Sequence, residues 1–134
     1  MKVRLINLFE IKNAKGNILK ILNKNEKLFT KFGEVYLSRV KKNYVKAWKK
    51  HKKTNLNLAV VSGEVKFVIY DNFKNKFKRI ILKEKNKKKL YIPAGLWFGF
   101  KGLKKNNVIL SISSGVTNEK EILRKKLNEI KFNW

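Results

Sequence analysis

The stretch Val45–Asp71, VKAWKKHKKTNLNLAVVSGEVKFVIYD, decides the reading of the chain. VKAWKKH reads as a strand ending on the only histidine, His51. A polar break follows, then the apolar run Asn55–Ser62. A turn at Ser62-Gly63-Glu64 leads into a third strand ending at Asp71, the only aspartate. The last two strands are expected to pair as a hairpin across Ser62-Gly63. LYIPAGLWFGFKGL, residues 90–103, reads as a companion: a strand, a tight turn at Pro93-Ala94-Gly95, and a returning strand. Together they predict a small β-barrel with a polar site inside it.

Working outward, Lys2 to Ile11 alternates imperfectly and Asn13–Asn17 is a turn around Gly16. EVYLSRV alternates strictly, so Tyr36, Ser38 and Val40 share one face and Val35, Leu37 and Arg39 the other. Further strands are expected at Phe77–Lys83 and Val108–Ser113. Turns are expected at Lys41-Lys42-Asn43 and Asn106-Asn107, and a charged, solvated loop at Glu84–Lys89. Thr117-Asn118-Glu119 is read as a cap for a helical turn through Arg124, with Trp134 packing back on the body. Short strands separated by turns every 8 to 12 residues or so predict an all-β sandwich or barrel with little helix.

The 134 residues suit one domain, 1–134, with one core. The absence of Cys excludes disulfides and thiolate metal sites. No apolar run approaches the roughly 18 residues of a membrane span, and no signal peptide is read, so a cytoplasmic protein without membrane association is expected. The net charge of +25 raises the question of a polyanion partner. The charge is almost all Lys, spread from Lys2 to Lys131. Only Arg4, Arg39, Arg79 and Arg124 offer the bidentate geometry that phosphate and base contacts prefer. Compositional drift explains this pattern better than nucleic-acid binding.

Alternation along Val45–His51 puts Ala47, Lys49 and His51 on one face and Lys46, Trp48 and Lys50 on the other. If the small-residue faces point inward, Lys49, His51 and Asn57 meet in the lumen as a polar cluster in an apolar wall. With one His, one Asp and no Cys, no metal site is expected.

The runs GEVYLSRVKKNYVKAWKKHKKTNLNLAVVSGEVKFVIYD (33–71), LYIPAGLWFGFKGL (90–103) and NEIKFNW (128–134) resemble, in this order, the small cupins related to dTDP-4-dehydrorhamnose 3,5-epimerase. The resemblance implies a cupin-type jelly-roll β-barrel, a homodimer, and a nucleotide-linked 4-keto-6-deoxy sugar as substrate in surface polysaccharide synthesis. It implies proton abstraction beside the C4 carbonyl without metal or cofactor. Lys49 stands at the family's catalytic-base position, and His51 matches a second His of the smaller relatives. Lys46 matches a phosphate-contacting position. Serving the cavity from Lys46 and Lys49 together requires a bulge or twist. The His of the Pro-x-Gly-x-x-His-Gly-Phe stretch is Phe98 here, and the catalytic Tyr falls near Val116. Tyr36, Tyr70 and Trp97 are candidates to stack on base or sugar. Three functions stay open: an epimerase or isomerase, a cupin that binds a sugar nucleotide without turning it over, and a polyanion-binding protein.

Overall fold

The computed structural model describes residues 2–134. Its strands are β1 (Arg4–Asn7), β2 (Phe9–Ile11), β3 (Ile18–Lys20), β4 (Glu34–Lys41), β5 (Val45–His51), β6 (Leu56–Ser62), β7 (Glu64–Asp71), β8 (Lys76–Lys83), β9 (Lys88–Ile92), β10 (Trp97–Gly102), β11 (Asn106–Ser113) and β12 (Ile122–Arg124). They form two five-stranded sheets, β1-β9-β6-β11-β4 and β12-β5-β10-β7-β8, beside the β2-β3 hairpin. The strand pairs are antiparallel. Helix is limited to two 3₁₀ turns, Glu84–Asn86 and Leu127–Glu129, among the described residues. This is the expected all-β jelly-roll barrel: from β4 to β12 consecutive strands alternate between the two sheets except for the pair β7 and β8, and the inner faces of the sheets pack together.

That topology overturns the expected Ser62-Gly63 hairpin. β6 pairs with β9 and β11, while β7 pairs with β10 and β8. Gly63 is instead the corner where the chain crosses between sheets. Its φ of +79° is one that L side chains rarely adopt, and an added Cβ would lie 2.3 Å from the Asn106 carbonyl oxygen. The register with β11 skips Val61, a bulge that turns the strand out of its sheet. The true hairpin is β7–β8, where Asp71 Oδ1 accepts from the Phe73 and Lys74 N–H groups at 3.0 and 3.2 Å.

Asn106-Asn107 opens β11 rather than forming a turn. Asn107 is buried, accepts from the Glu64 N–H at 2.9 Å, and donates to the carbonyls of Val40 (2.9 Å) and Lys104 (2.7 Å). It staples the corner to two neighbouring segments. At the other end, no helix follows Thr117. Residues 118–121 make a tight turn, with the Glu121 N–H on Asn118 O at 2.9 Å, and β12 then adds to the edge of β5. The expected solvated loop at Glu84–Lys89 runs two residues too far as well, since β9 begins at Lys88. Lys89 belongs to β9, its side chain is 1% exposed, and its ammonium meets Glu26 Oε2 at 2.5 Å.

Leu56, Leu58 and Val60 of β6 join Val65, Phe67 and Ile69 of β7 in the core between the sheets. Each such side chain contributes about 1.5–3 kcal/mol by leaving water. The opposite, small-residue face of β6 therefore points outward, against the expectation that it lines the lumen. Both faces of the strand are covered, so burial runs unbroken from Leu56 to Val60.

Candidate active site

A cavity of about 440 Å³ opens between the sheets. Leu56, Leu58, Phe67, Phe98, Phe100 and Ile109 form its apolar wall. Tyr36, Ser38 and Ser111, from the inward faces of β4 and β11, supply hydroxyls, and Lys46, Lys49 and Arg124 supply charge; Lys125 also lines it, but its ammonium lies over the Trp97 ring. The EVYLSRV alternation accounts for Tyr36 and Ser38 sharing one face.

Lys46 and Lys49 both reach the cavity because β5 bulges. Phe98 pairs with Lys49 and Gly99 with Ala47, leaving Trp48 as the extra residue. Simple alternation breaks at that point, as the two lysines required. The bulge brings Ala47 against β10 so closely that a Cβ on Gly99 would lie 2.4 Å from the Ala47 Cβ. Trp48 exchanges backbone hydrogen bonds with Lys125 at 3.0 and 3.1 Å, which carries the tail after β12 along the cavity's edge.

Lys46 Nζ donates to the Arg39 carbonyl at 2.6 Å. Burial pulls the Lys49 ammonium below the usual lysine range, Arg124 and Lys46 add to the shift by like charge, and Glu119 and Glu121 oppose it. Arg124 is held by Glu119 at 2.9 Å. Burial and the Glu34 carboxylate push the Tyr36 phenol up, against a hydrogen bond with Ser111.

His51 is 6% exposed and is not among the residues lining the cavity. Its ring stacks on Phe98, a wall residue, with centroids 6.1 Å apart and planes at 12°. Its Nδ1 lies 2.9 Å from Glu121 Oε2. The other Glu121 oxygen accepts from the Lys53 and Thr54 N–H groups at 2.7 and 2.8 Å. Burial pushes the Glu121 carboxyl up, but the hydrogen bonds from His51, Lys53 and Thr54 outweigh it and bring the group down to about 2.

Besides His51, the expected residues Asn57, Tyr70 and Trp97 lie outside the cavity lining. Asn57 is on the outward face of β6, in a small crevice with Leu22, Leu28 and Phe29 of the N-terminal segment. Its place in the lumen is taken by Leu56 and Leu58. Trp97 faces away from the cavity and packs with Trp48, Val68 and Ile130 under the C-terminal tail. Its neighbour Phe98 faces inward instead. The sequence reading misses Arg124 and Lys125 because the segment before them reads as a helical turn. Glu121 carries no local signal, since it meets His51 from 70 residues away.

The barrel and its lysine-rich cavity define a small cupin related to the dTDP-4-dehydrorhamnose 3,5-epimerases. The chain belongs to the WxcM-like, C-terminal family (FdtA), whose model matches residues 1–132. Its fold is similar to that of a dTDP sugar isomerase from Desulfovibrio desulfuricans G20, with a TM-score of 0.89 and 27% identity over 98% of this chain and 90% of that one. It is also similar to QdtA, a sugar 3,4-ketoisomerase from Thermoanaerobacterium thermosaccharolyticum solved with TDP: TM-score 0.81, 25% identity, 92% and 88% covered. A dTDP-4-dehydrorhamnose 3,5-epimerase from Elizabethkingia anophelis NUHP1 shares the fold at TM-score 0.82 and 19% identity, with 94% and 76% covered. No curated protein sequence gives a significant match. Among the described residues no helix is long and apolar enough to cross a membrane, and no three His, Cys, Asp or Glu side chains gather as metal ligands.

Proposed function

We propose that the chain isomerises a dTDP-4-keto-6-deoxy sugar by proton transfer beside the ketone. The observation that carries this reading is Lys49: an amine in an apolar-walled cavity, held below its usual pKa by burial and by Arg124. A lysine so placed has a neutral fraction able to take a proton from carbon. Removing the C3 proton leaves an enediolate with its charge on O4 and the hydroxyl proton still on O3. Returning a proton to C4, with the hydroxyl proton passing from O3 to O4, gives the 3-keto isomer. The charges of Lys46 and Arg124 stabilise the enediolate and suit the diphosphate. Tyr36 and Ser111 offer hydroxyls to the sugar. Ketoisomerisation is preferred to 3,5-epimerisation because the relatives at 25–27% identity are a ketoisomerase and a sugar isomerase, whereas the epimerase is at 19%.

A second reading, binding without turnover, draws on Phe98 and His51. A phenyl ring stands where the family places a His, and the only imidazole does not line the cavity. We also propose a homodimer through the outer face of the first sheet, where Val35 and Leu37, 51% and 52% exposed, lie in register with Ile112 and Leu110.

The test is NMR of the protein with dTDP-4-keto-6-deoxyglucose in D₂O. Deuterium at C3, and at C4 of the product, supports the isomerase. Binding without exchange replaces it with the second reading, and failure to bind removes both.

A further inference from the structure

Among the described residues no Asp or Glu lines the cavity, while Lys46, Lys49 and Arg124 bring cations to it. Two of these cations stand face to face. β12 pairs with β5 so that Arg124 lies directly opposite Lys49, and both residues line the cavity. Like charges at such a cross-strand position repel, and part burial strengthens the repulsion. The nearby carboxylates are engaged elsewhere. Glu119 Oε1 is taken by Arg124 at 2.9 Å, and Glu121 by His51 and the N–H groups of Lys53 and Thr54. No ion pair among the described residues includes Lys49. On its other flank β10 offers Phe98, whose ring centroid lies 5.9 Å from Lys49 Nζ. The amine therefore stands in a cavity of about 440 Å³ with a guanidinium at its side and no counter-anion.

We infer that Lys49 is a carbamylation site: carbon dioxide adds to its Nζ, and Arg124 holds the resulting carbamate across the strand pair. The neutral amine supplies the electron pair of the new N–C bond. One C=O pair of carbon dioxide shifts to oxygen, and an N–H proton leaves to solvent. Nothing is oxidised or reduced. Counted from the ammonium, two protons are released and the group changes from a cation to an anion. The repelling pair becomes an attracting one, with two carboxylate oxygens for the planar guanidinium. The burial and the Arg124 charge that hold Lys49 below the usual lysine range also supply the neutral amine the step needs. In the carbamate the nitrogen pair is drawn into the carboxylate and no longer takes a proton from carbon. Carbon dioxide is thus a brake on the site. The modification stands on the geometry of the cavity alone; its effect on turnover rests on the ketosugar reading.

The unaltered protein is equilibrated with ¹³C-bicarbonate and its dissolved carbon dioxide, trapped with triethyloxonium ion as the stable ethyl carbamate, and mapped by peptide mass spectrometry. The ¹³C adduct is expected on Lys49 and not on Lys85, an exposed lysine outside the cavity. Equal labelling of the two, or none on Lys49, overturns the proposal. Arg124→Gln is expected to raise the bicarbonate needed for half-labelling roughly tenfold, and unchanged labelling overturns the pairing. If that variant does not fold, Arg124→Lys keeps the charge without the planar fork and is expected to lower labelling several-fold; labelling equal to that of the unaltered protein overturns the pairing. For the brake, bicarbonate replaces chloride at fixed pH and ionic strength. Deuterium exchange into dTDP-4-keto-6-deoxyglucose is expected to fall in step with Lys49 labelling, and exchange indifferent to that labelling overturns the brake. Labelled Lys49 in a protein that exchanges no ketosugar even in chloride leaves the carbamate standing and removes the functional reading.

Discussion

Two faces of the same pair of strands carry nearly the same chemistry and end differently. On the inner face of β5 and β10, Phe98 and Phe100 stand beside Lys46 and Lys49 around an open cavity. On the outer face, Trp97 and Trp48 have Lys50 and Lys125 within reach; both ammonium groups lie 5.2 Å from the Trp97 ring centroid. That face is filled. The tail lays Ile130, Phe132 and Trp134 across it, Trp134 meets Trp48 at 5.3 Å between ring centroids, and the Trp134 carbonyl takes hydrogen bonds from Lys66 and Lys101 at 3.3 and 3.4 Å. Aromatic rings interleaved with lysines do not by themselves make a binding site. What separates the faces is whether the chain keeps a segment to cover them.

The sharpest way to break this comparison is to treat the two faces alike. Lys49→Arg keeps the charge but places in the cavity a group that does not deprotonate at working pH. Deuterium exchange into the ketosugar is expected to fall about 10²–10⁴-fold, with the melting transition little changed. The unaltered protein's exchange should rise with pH through the lowered Lys49 pKa, because only the neutral amine accepts a proton. An active Arg variant would reduce Lys49 to a fixed charge.

Trp97→Ala should do the reverse. Truncating a large ring in the filled face is expected to cost about 3–5 kcal/mol in denaturant unfolding. Exchange per folded molecule should stay within a few-fold. A loss of exchange without loss of stability would return Trp97 to the site.

These contrasts mark how far the sequence can be read. Strand alternation and turn residues disclose the barrel, the shared face of Tyr36 and Ser38, and the need for a bulge or twist at Lys46–Lys49. Alternation is blind to which face turns inward when both are covered. Hence it assigns Asn57 to the lumen, where Leu56 and Leu58 stand, and the stacking candidate Trp97 turns away while Phe98 faces inward. Partnership across long separations is also hidden. Lys89 looks like any loop lysine until Glu26, 63 residues away, meets it. Glu121 and Arg124 reach the site only because the tail forms β12 on the edge of β5, a pairing that no local pattern in Thr117–Arg124 announces.

A third, smaller effect concerns Glu121, the carboxylate beside His51. The folded pKa of Glu121 is lowered from 4.5 to about 2. Its stabilisation is therefore complete above the unfolded value and is lost as pH falls through the folded one, because the unfolded chain binds the proton first. The stability difference between the unaltered protein and Glu121→Gln should be flat above pH 4.5 and shrink between 4.5 and about 2. A difference independent of pH would mean that the carboxylate's charge does not stabilise the fold.

The smallest expected effect is the most informative about the charge of +25. Lys85 and Lys88 are exposed, lie outside the cavity lining, and appear in no ion pair among the described residues. If the lysine excess is drift, changing both to Gln should alter stability by less than about 0.5 kcal/mol and leave exchange untouched. Binding to duplex DNA, if any, should then be weak and equally insensitive to the two changes. If the excess instead serves to hold a polyanion, removing two cations should weaken DNA binding and flatten its dependence on salt by nearly one unit for each phosphate no longer neutralised. A flatter slope at these two lysines would show a surface doing chemistry of its own, apart from the cavity, and would end the explanation by drift.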